Sequence, residues 1–183
     1  SDGIPVRMCG AHEADYLGEV GWHDLIEEAR SGTVQFAGGT LEIAVTPAMT
    51  VIDIDGDLDA LPLSMAGAQA AAQAIRRLRL QGSIGIDFPD VGSKSARAQV
   101  TEAFDAAMEI DCERTAINGF GFMQIVTRRT GPSLLELLQR RRMRGHAIEL
   151  LRSGERQRGA GDIELHAHPA IMAQLEKRPG WLE

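Results

Sequence analysis

Met49-Thr50-Val51-Ile52-Asp53-Ile54-Asp55 (MTVIDID, 49–55) and Ser83-Ile84-Gly85-Ile86-Asp87-Phe88 (SIGIDF, 83–88) set the architecture. Both runs are apolar and rich in β-branched residues, and each reads as a buried strand of a central sheet. Between them, Asp57–Leu63 reads as a loop holding Pro62, and Ser64–Leu80 has the Ala-rich composition and apolar spacing of a helix. Upstream, Trp22–Arg30 reads as a short helix ended by Ser31-Gly32. Thr33–Phe36 and Thr40–Thr46 flank the turn pair Gly38-Gly39 as a hairpin. Downstream, Ser93 caps a helix reaching about Glu109, and Arg114–Asn118 and Phe122–Arg128 read as strands. A helix over Ser133–Leu151, a polar loop over Gly154–Gly161, a strand over Ile163–Ala167 and a helix over Ala170–Lys177 complete the chain. Strands alternating with helices predict an α/β fold, a mixed β-sheet flanked by helices in a single domain spanning 22–178 behind an N-terminal extension, 1–21.

Composition narrows the function classes. Hydrophobic residues make up 44% and charged residues 25% of the 183, as in ordinary globular proteins. No apolar run approaches the ~20 residues that cross a bilayer, so no membrane partner is expected. The start SDGIPVRMCG lacks the basic flank and apolar stretch of a secretory signal. Cys9 and Cys112 form no CxxC pair and read as reduced thiols, consistent with the cytoplasm. The net charge of −7 is opposite in sign to that of most nucleic-acid binders. It is unevenly spread: residues 1–111 carry 18 acids against 7 bases, and residues 112–183 carry 8 acids against 12 bases. The basic half could face a phosphodiester backbone, although charge alone favours simple solvated faces.

The candidate chemistry lies in the carboxylates. Asp53 and Asp55 are two apart on one strand, so they share a face about 7 Å apart. If the two strands are neighbours, Asp87 enters the same space. Converging carboxylates are costly unless a cation neutralises them, and those inside buried strands demand a partner. A hard divalent ion with oxygen ligands meets that demand. Magnesium keeps waters for chemistry while touching phosphate directly. The structural alternative is that acids near strand ends are solvated caps, and Asp57, Asp59 and Asp90 read that way.

Three stretches together resemble the ribonuclease E/G family: GGTLEIAVTPAMTVIDIDG (38–56), IRRLRLQGSIGIDFPDVGSKSARAQV (75–100) and GFGFMQIVTRRTGPSL (119–134). They match the family's glycine-pair strand, first aspartate strand, IDF-x-D strand and FGL-x-E…PSL segment in order, and the resemblance covers about residues 22–175. It implies a magnesium-dependent endoribonuclease, with manganese as a possible substitute, that cleaves single-stranded RNA to leave a 5′-phosphate. Asp53 and Asp87 fall on the two metal-binding aspartates. Asp55 falls where the family usually has an Asn near the metal and the scissile phosphate. Arg114 is matched to an arginine that positions RNA. Lys94, Arg97, Arg128 and Arg129 are candidate RNA contacts, with Arg76, Arg77, Arg79 and the basic run Arg140–Arg144 behind them.

The departures also carry expectations. Asp55 in place of Asn adds a negative charge to the site, and Gln124 stands where the family usually has Glu. Pro132-Ser133-Leu134 runs into Leu135-Glu136-Leu137 without the paired cysteines of the family's zinc link, so neither zinc nor a zinc-linked dimer is expected. His166 and His168 read as structural. Residues 1–21 are too short to replace the family's RNA-binding and 5′-sensor domains. The competing function, from a different class, is a relative with weak or no catalysis that binds RNA or a protein.

Overall fold

The computed structural model of the chain describes residues 10, 13–140, 142–157 and 161–181. Cys9, Arg141, residues 158–160 of the expected polar loop and most of the first twelve residues lie outside the described residues. In chain order the helices are α1 (Tyr16–Glu19), α2 (Trp22–Ser31), α3 (Ala60–Arg77), α4 (Lys94–Ala107), α5 (Leu134–Arg140), α6 (Arg142–Glu155) and α7 (Pro169–Glu176). The strands are β1 (Thr33–Phe36), β2 (Gly39–Val45), β3 (Thr50–Gly56), β4 (Gly82–Asp87), β5 (Cys112–Arg114) and β6 (Phe122–Thr127). Where the sequence predicts domain bounds of 1–21 and 22–178, the fold divides into two compact units, 23–140 and the described parts of 1–22 with 141–183. None of the described helices is long and apolar enough to cross a membrane.

The unit 23–140 holds a six-stranded mixed sheet in the order β1-β2-β3-β4-β6-β5. The α/β fold with a mixed sheet expected from the sequence is the one observed. Only β3 and β4 run parallel, which fits their linkage through α3, since parallel neighbours need a crossover. One face of the sheet is the core: Leu41 and Ile43, Ile52 and Ile54, Ile84 and Ile86, and Met123 and Ile125 are all buried there. Against these branched side chains α3 presents small residues, among them Gly67, Ala68, Ala71 and Ala74. A β-carbon at residue 67 would come within 2.7 Å of Ile54 Cγ2, so the glycine sets how closely helix and sheet approach.

Several boundaries differ from the sequence reading. The loop after β3 is shorter than Asp57–Leu63, because α3 already begins at Ala60. Pro62 is tolerated in its first turn, where no intrahelical acceptor exists for its missing N–H. β5 ends at Arg114 rather than Asn118, and the Asn118 side chain, which accepts from the Phe120 and Phe122 amides, turns the chain into β6. The helix expected over Ser133–Leu151 is seen as α5 and α6, which belong to different units.

The second unit contains helices and no strand among its described residues. Ile163–Ala167, expected as a strand, is irregular, because a strand needs a paired neighbour and this unit supplies none. Here α6 packs on α7, Arg156 pairs with Asp15 at 2.7 Å, and the Arg144 and Arg178 guanidiniums lie 5.5 and 5.0 Å from the Trp181 ring centre. His168 caps α7 by accepting from the Ala170 amide at 3.2 Å. His166 lies 3.3 Å from Glu164.

Candidate functional site

The parallel register of β3 and β4 sets Asp53 directly beside Asp87. Registered residues on adjacent strands project to the same face, about 4.8 Å apart at the backbone. Ile52, Ile54 and Ile86 flank the two aspartates and turn into the core, so both carboxylates stand on the opposite, exposed face. The sequence pattern predicts both inside buried strands, whereas the structure exposes both carboxylates. Ile52, Ile54 and Ile86 are buried on one face, and alternation carries Asp53 and Asp87 to the other, out to water. Asp55 shares their face two residues farther along β3, opposite Thr40.

The row of registered positions is longer than the sequence suggested. Glu42 of β2 lies opposite Asp53, and Phe122 of β6 lies opposite Asp87. The Thr33 hydroxyl donates to Glu42 at 3.0–3.1 Å. Three carboxylate residues on neighbouring strands therefore occupy consecutive positions across the sheet, an arrangement that like-charge repulsion disfavours. Glu42 was missed because alternation within β2 gives only its face; its neighbour follows from the β2–β3 register. Beside this row the Phe122 ring lies over Gly85. A β-carbon at residue 85 would sit 2.2 Å from Phe122 Cζ and 3.3 Å from the Met49 sulfur, so only glycine leaves the ring its place.

Two adjacent carboxylates are a donor set suited to a hard, oxygen-preferring cation. Among the described residues no group of three or more His, Cys, Asp or Glu could hold a metal. The adjacent pair Asp53 and Asp87 is a two-carboxylate arrangement. Magnesium is commonly held by one or two carboxylates with waters and substrate phosphate, whereas calcium takes six to eight oxygens and structural zinc four ligands.

The basic candidates are scattered. Lys94 and Arg97 begin α4, which follows β4 after a short loop, at the Asp87 end of the sheet; Ser93 caps this helix by accepting from the Ala96 amide at 3.0 Å. Arg97 donates to the Gly92 carbonyl at 3.2 Å. Arg114 is not brought to the carboxylates: it registers with buried Ile125, hence faces the other side of the sheet, and its guanidinium forks onto Asp105 of α4. Arg128 and Arg129 follow β6 at the opposite end of the sheet, since Thr127 registers with Gly82 while Phe122 registers with Asp87. Arg76 pairs with Glu109, Arg77 with Glu28 at 2.7 Å, and Arg79 donates to Thr130 at 3.0 Å.

That opposite end is built from a motif the sequence reading passed over. Ser133-x-x-Glu136 is a capping box: the Glu136 amide donates to Ser133 Oγ at 3.1 Å, and the Ser133 amide donates to Glu136 Oε2 at 2.8 Å. Arg129 donates to the other Glu136 oxygen at 2.8 Å. The Ser133 amide first, with Arg129 behind it, holds the Glu136 carboxyl below its ordinary pKa against the opposing effect of burial. Gln81 accepts from the Thr130 and Gly131 amides. A cavity of about 460 Å³ opens here between the β2–β3 turn and α5, away from Asp53 and Asp87. Gln124 lies on the exposed face and donates to Ser83 at 3.4 Å.

Comparison with known proteins gives this geometry a context. The family model described as "Ribonuclease E/G family" matches residues 6–130. Ribonuclease G of Salmonella typhimurium is 32% identical over 114 residues, which is 56% of this chain and 23% of that protein. Ribonuclease G of Escherichia coli K12 is 31% identical over the same length and shares. Ribonuclease E of a Nostoc species is 30% identical over 113 residues, 55% of this chain and 16% of that protein. The chain spans less than a quarter of the length of these curated relatives.

Proposed function

Because the chain belongs to the ribonuclease E/G family, we propose that Asp53 and Asp87 form the ion-binding centre of a magnesium-dependent endoribonuclease acting on single-stranded RNA. One observation carries this reading: the β3–β4 register puts these two carboxylates side by side on an exposed face. Asp53 and Asp87 would hold magnesium, or manganese in its place; when bound, such an ion neutralises charge at the scissile phosphate and lowers the pKa of a water. Asp55 stands on the same face to orient that water or the phosphate. Lys94 and Arg97, at the Asp87 end, offset phosphate charge. The chemistry joins a water oxygen to phosphorus and breaks the bond to the 3′-oxygen, which takes up a proton; a 5′-phosphate and a 3′-hydroxyl remain. The cytoplasm suits this role and the free Cys112 thiol.

The test is cleavage of a short single-stranded RNA with and without magnesium, comparing the chain with Asp53→Asn and Asp87→Asn. Metal-dependent cleavage reduced at least about 100-fold by either change supports the reading. A second reading, an RNA- or protein-binding relative with little catalysis, is favoured by Glu42 and Asp55, whose charges lie beside the pair and oppose the approach of phosphate. RNA binding without any magnesium-dependent cleavage would decide for it.

A further inference from the structure

The chain has five phenylalanines, and four of them are buried or partly covered; Phe120 is 93% exposed. Such an aromatic on a floppy loop would mean little, but this loop is fixed. Asn118 Oδ1 accepts from the Phe120 amide at 2.8 Å and the Phe122 amide at 3.1 Å. The Asn118 amide donates to the Phe122 carbonyl at 3.0 Å, and the Gly121 amide donates to the Asn118 carbonyl at 3.2 Å. The Phe88 amide, one residue beyond Asp87, donates to the Gly121 carbonyl at 3.0 Å. Gly121 has φ +82°, and a β-carbon there would meet the Phe88 carbonyl oxygen at 2.5 Å, so the loop is clamped directly to the end of β4. Phe120 is two residues from Phe122, the register partner of Asp87, which places its backbone roughly 10 Å from that of Asp87. The fold thus holds a bare aromatic ring out to water within a nucleotide or two of the carboxylate pair.

We infer that Phe120 is a stacking platform for one unpaired base of the single-stranded RNA whose phosphate lies at Asp53 and Asp87. Every base has a π-face, so the contact selects for unpaired nucleotides without selecting sequence. This inference rests on the carboxylate pair being an RNA site. It assigns the grip on the substrate to an apolar contact, which an acidic chain can make without adding positive charge.

The test measures binding of a labelled short single-stranded RNA in EDTA at fixed salt, alongside cleavage in magnesium. Phe120→Ala is expected to weaken binding about 5- to 100-fold, and Phe120→Tyr to keep it within about threefold. An RNA with one base removed at the contacted position should bind weakly to the unaltered chain, with no further loss on Phe120→Ala. Asp53→Asn should leave the Phe120-dependent binding intact. Binding and cleavage unchanged by Phe120→Ala overturn the inference and leave the nuclease reading standing. So does a loss of equal size whichever base is missing. Phe120-dependent RNA binding without cleavage upholds the platform and ends the nuclease reading. Failure of the unaltered chain to bind RNA at all overturns the platform.

Discussion

The two ends of the sheet handle buried and exposed charge in opposite ways. At the end of β6 and the start of β4, Glu136 is nearly buried and fully engaged, by the Ser133 amide on one oxygen and Arg129 on the other. At the end of β4, Asp53 and Asp87 are exposed beside each other, and among the described residues no hydrogen bond or ion pair joins either to another side chain. A carboxylate that fastens the fold is surrounded by donors of its own chain. Carboxylates placed side by side without donors add repulsion to the folded state, and a cation or a ligand carrying one relieves it. The contrast separates charge that the fold itself satisfies from charge that it leaves facing water.

Neutralising either member of the pair should have the largest effect on activity and the smallest cost in stability. Asp53→Asn or Asp87→Asn should lower cleavage at least about 100-fold while leaving the melting temperature unchanged or slightly raised, since a cross-strand repulsion of about 0.2–1 kcal/mol disappears. Thermal melts with added magnesium sharpen the point: stabilisation by the ion should be present in the unaltered chain and absent in both variants. Gly85→Ala comes next. Its β-carbon displaces the Phe122 ring, so denaturant unfolding should show a loss of about 1–3 kcal/mol.

At the opposite end, Glu136→Ala should cost about 1–2 kcal/mol through loss of the capping box, with no specific effect on cleavage. Its pH dependence follows from the direction of the shift. The folded carboxyl titrates below its ordinary value near 4.5, so its stabilising contribution is complete above that pH and lost as pH falls through the lower, folded value. Unfolding measured between neutral and acid pH should show this loss, and Glu136→Gln should remove that part of the slope. Glu42→Gln is the mildest change, expected to stabilise by about 0.5 kcal/mol. A substantial destabilisation there would mean that Glu42 works like Glu136, and the contrast between the two ends would fail at that position.

The readable and unreadable parts of this site divide along physical lines. Alternation in MTVIDID and SIGIDF placed Asp53, Asp55 and Asp87 on strands, and resemblance selected them from among the acids. The same local pattern does not tell whether a strand's second face is covered at a given residue, so the burial it predicts for the pair differs from the exposure observed. Arg114 shows the second limit. Its residue type suits phosphate, but strand parity and Asp105 hold it on the far face. Glu42 and Phe120 carry no local signal; one depends on the β2–β3 register, the other on a loop clamped to a distant backbone.

What the sequence determined by itself is the alternation of strand and helix through the sheet, the cap at Ser93 and the placing of Asp53, Asp55 and Asp87 on two strands. These rest on interactions a few residues apart, or on motifs contiguous in the chain. Tertiary structure alone decided which carboxylates are neighbours, which face they share, and which of the arginines already have partners. Those are outcomes of register and packing between segments dozens of residues apart, where hydrogen bonding and burial of the isoleucine face choose one alignment among several that the local pattern permits.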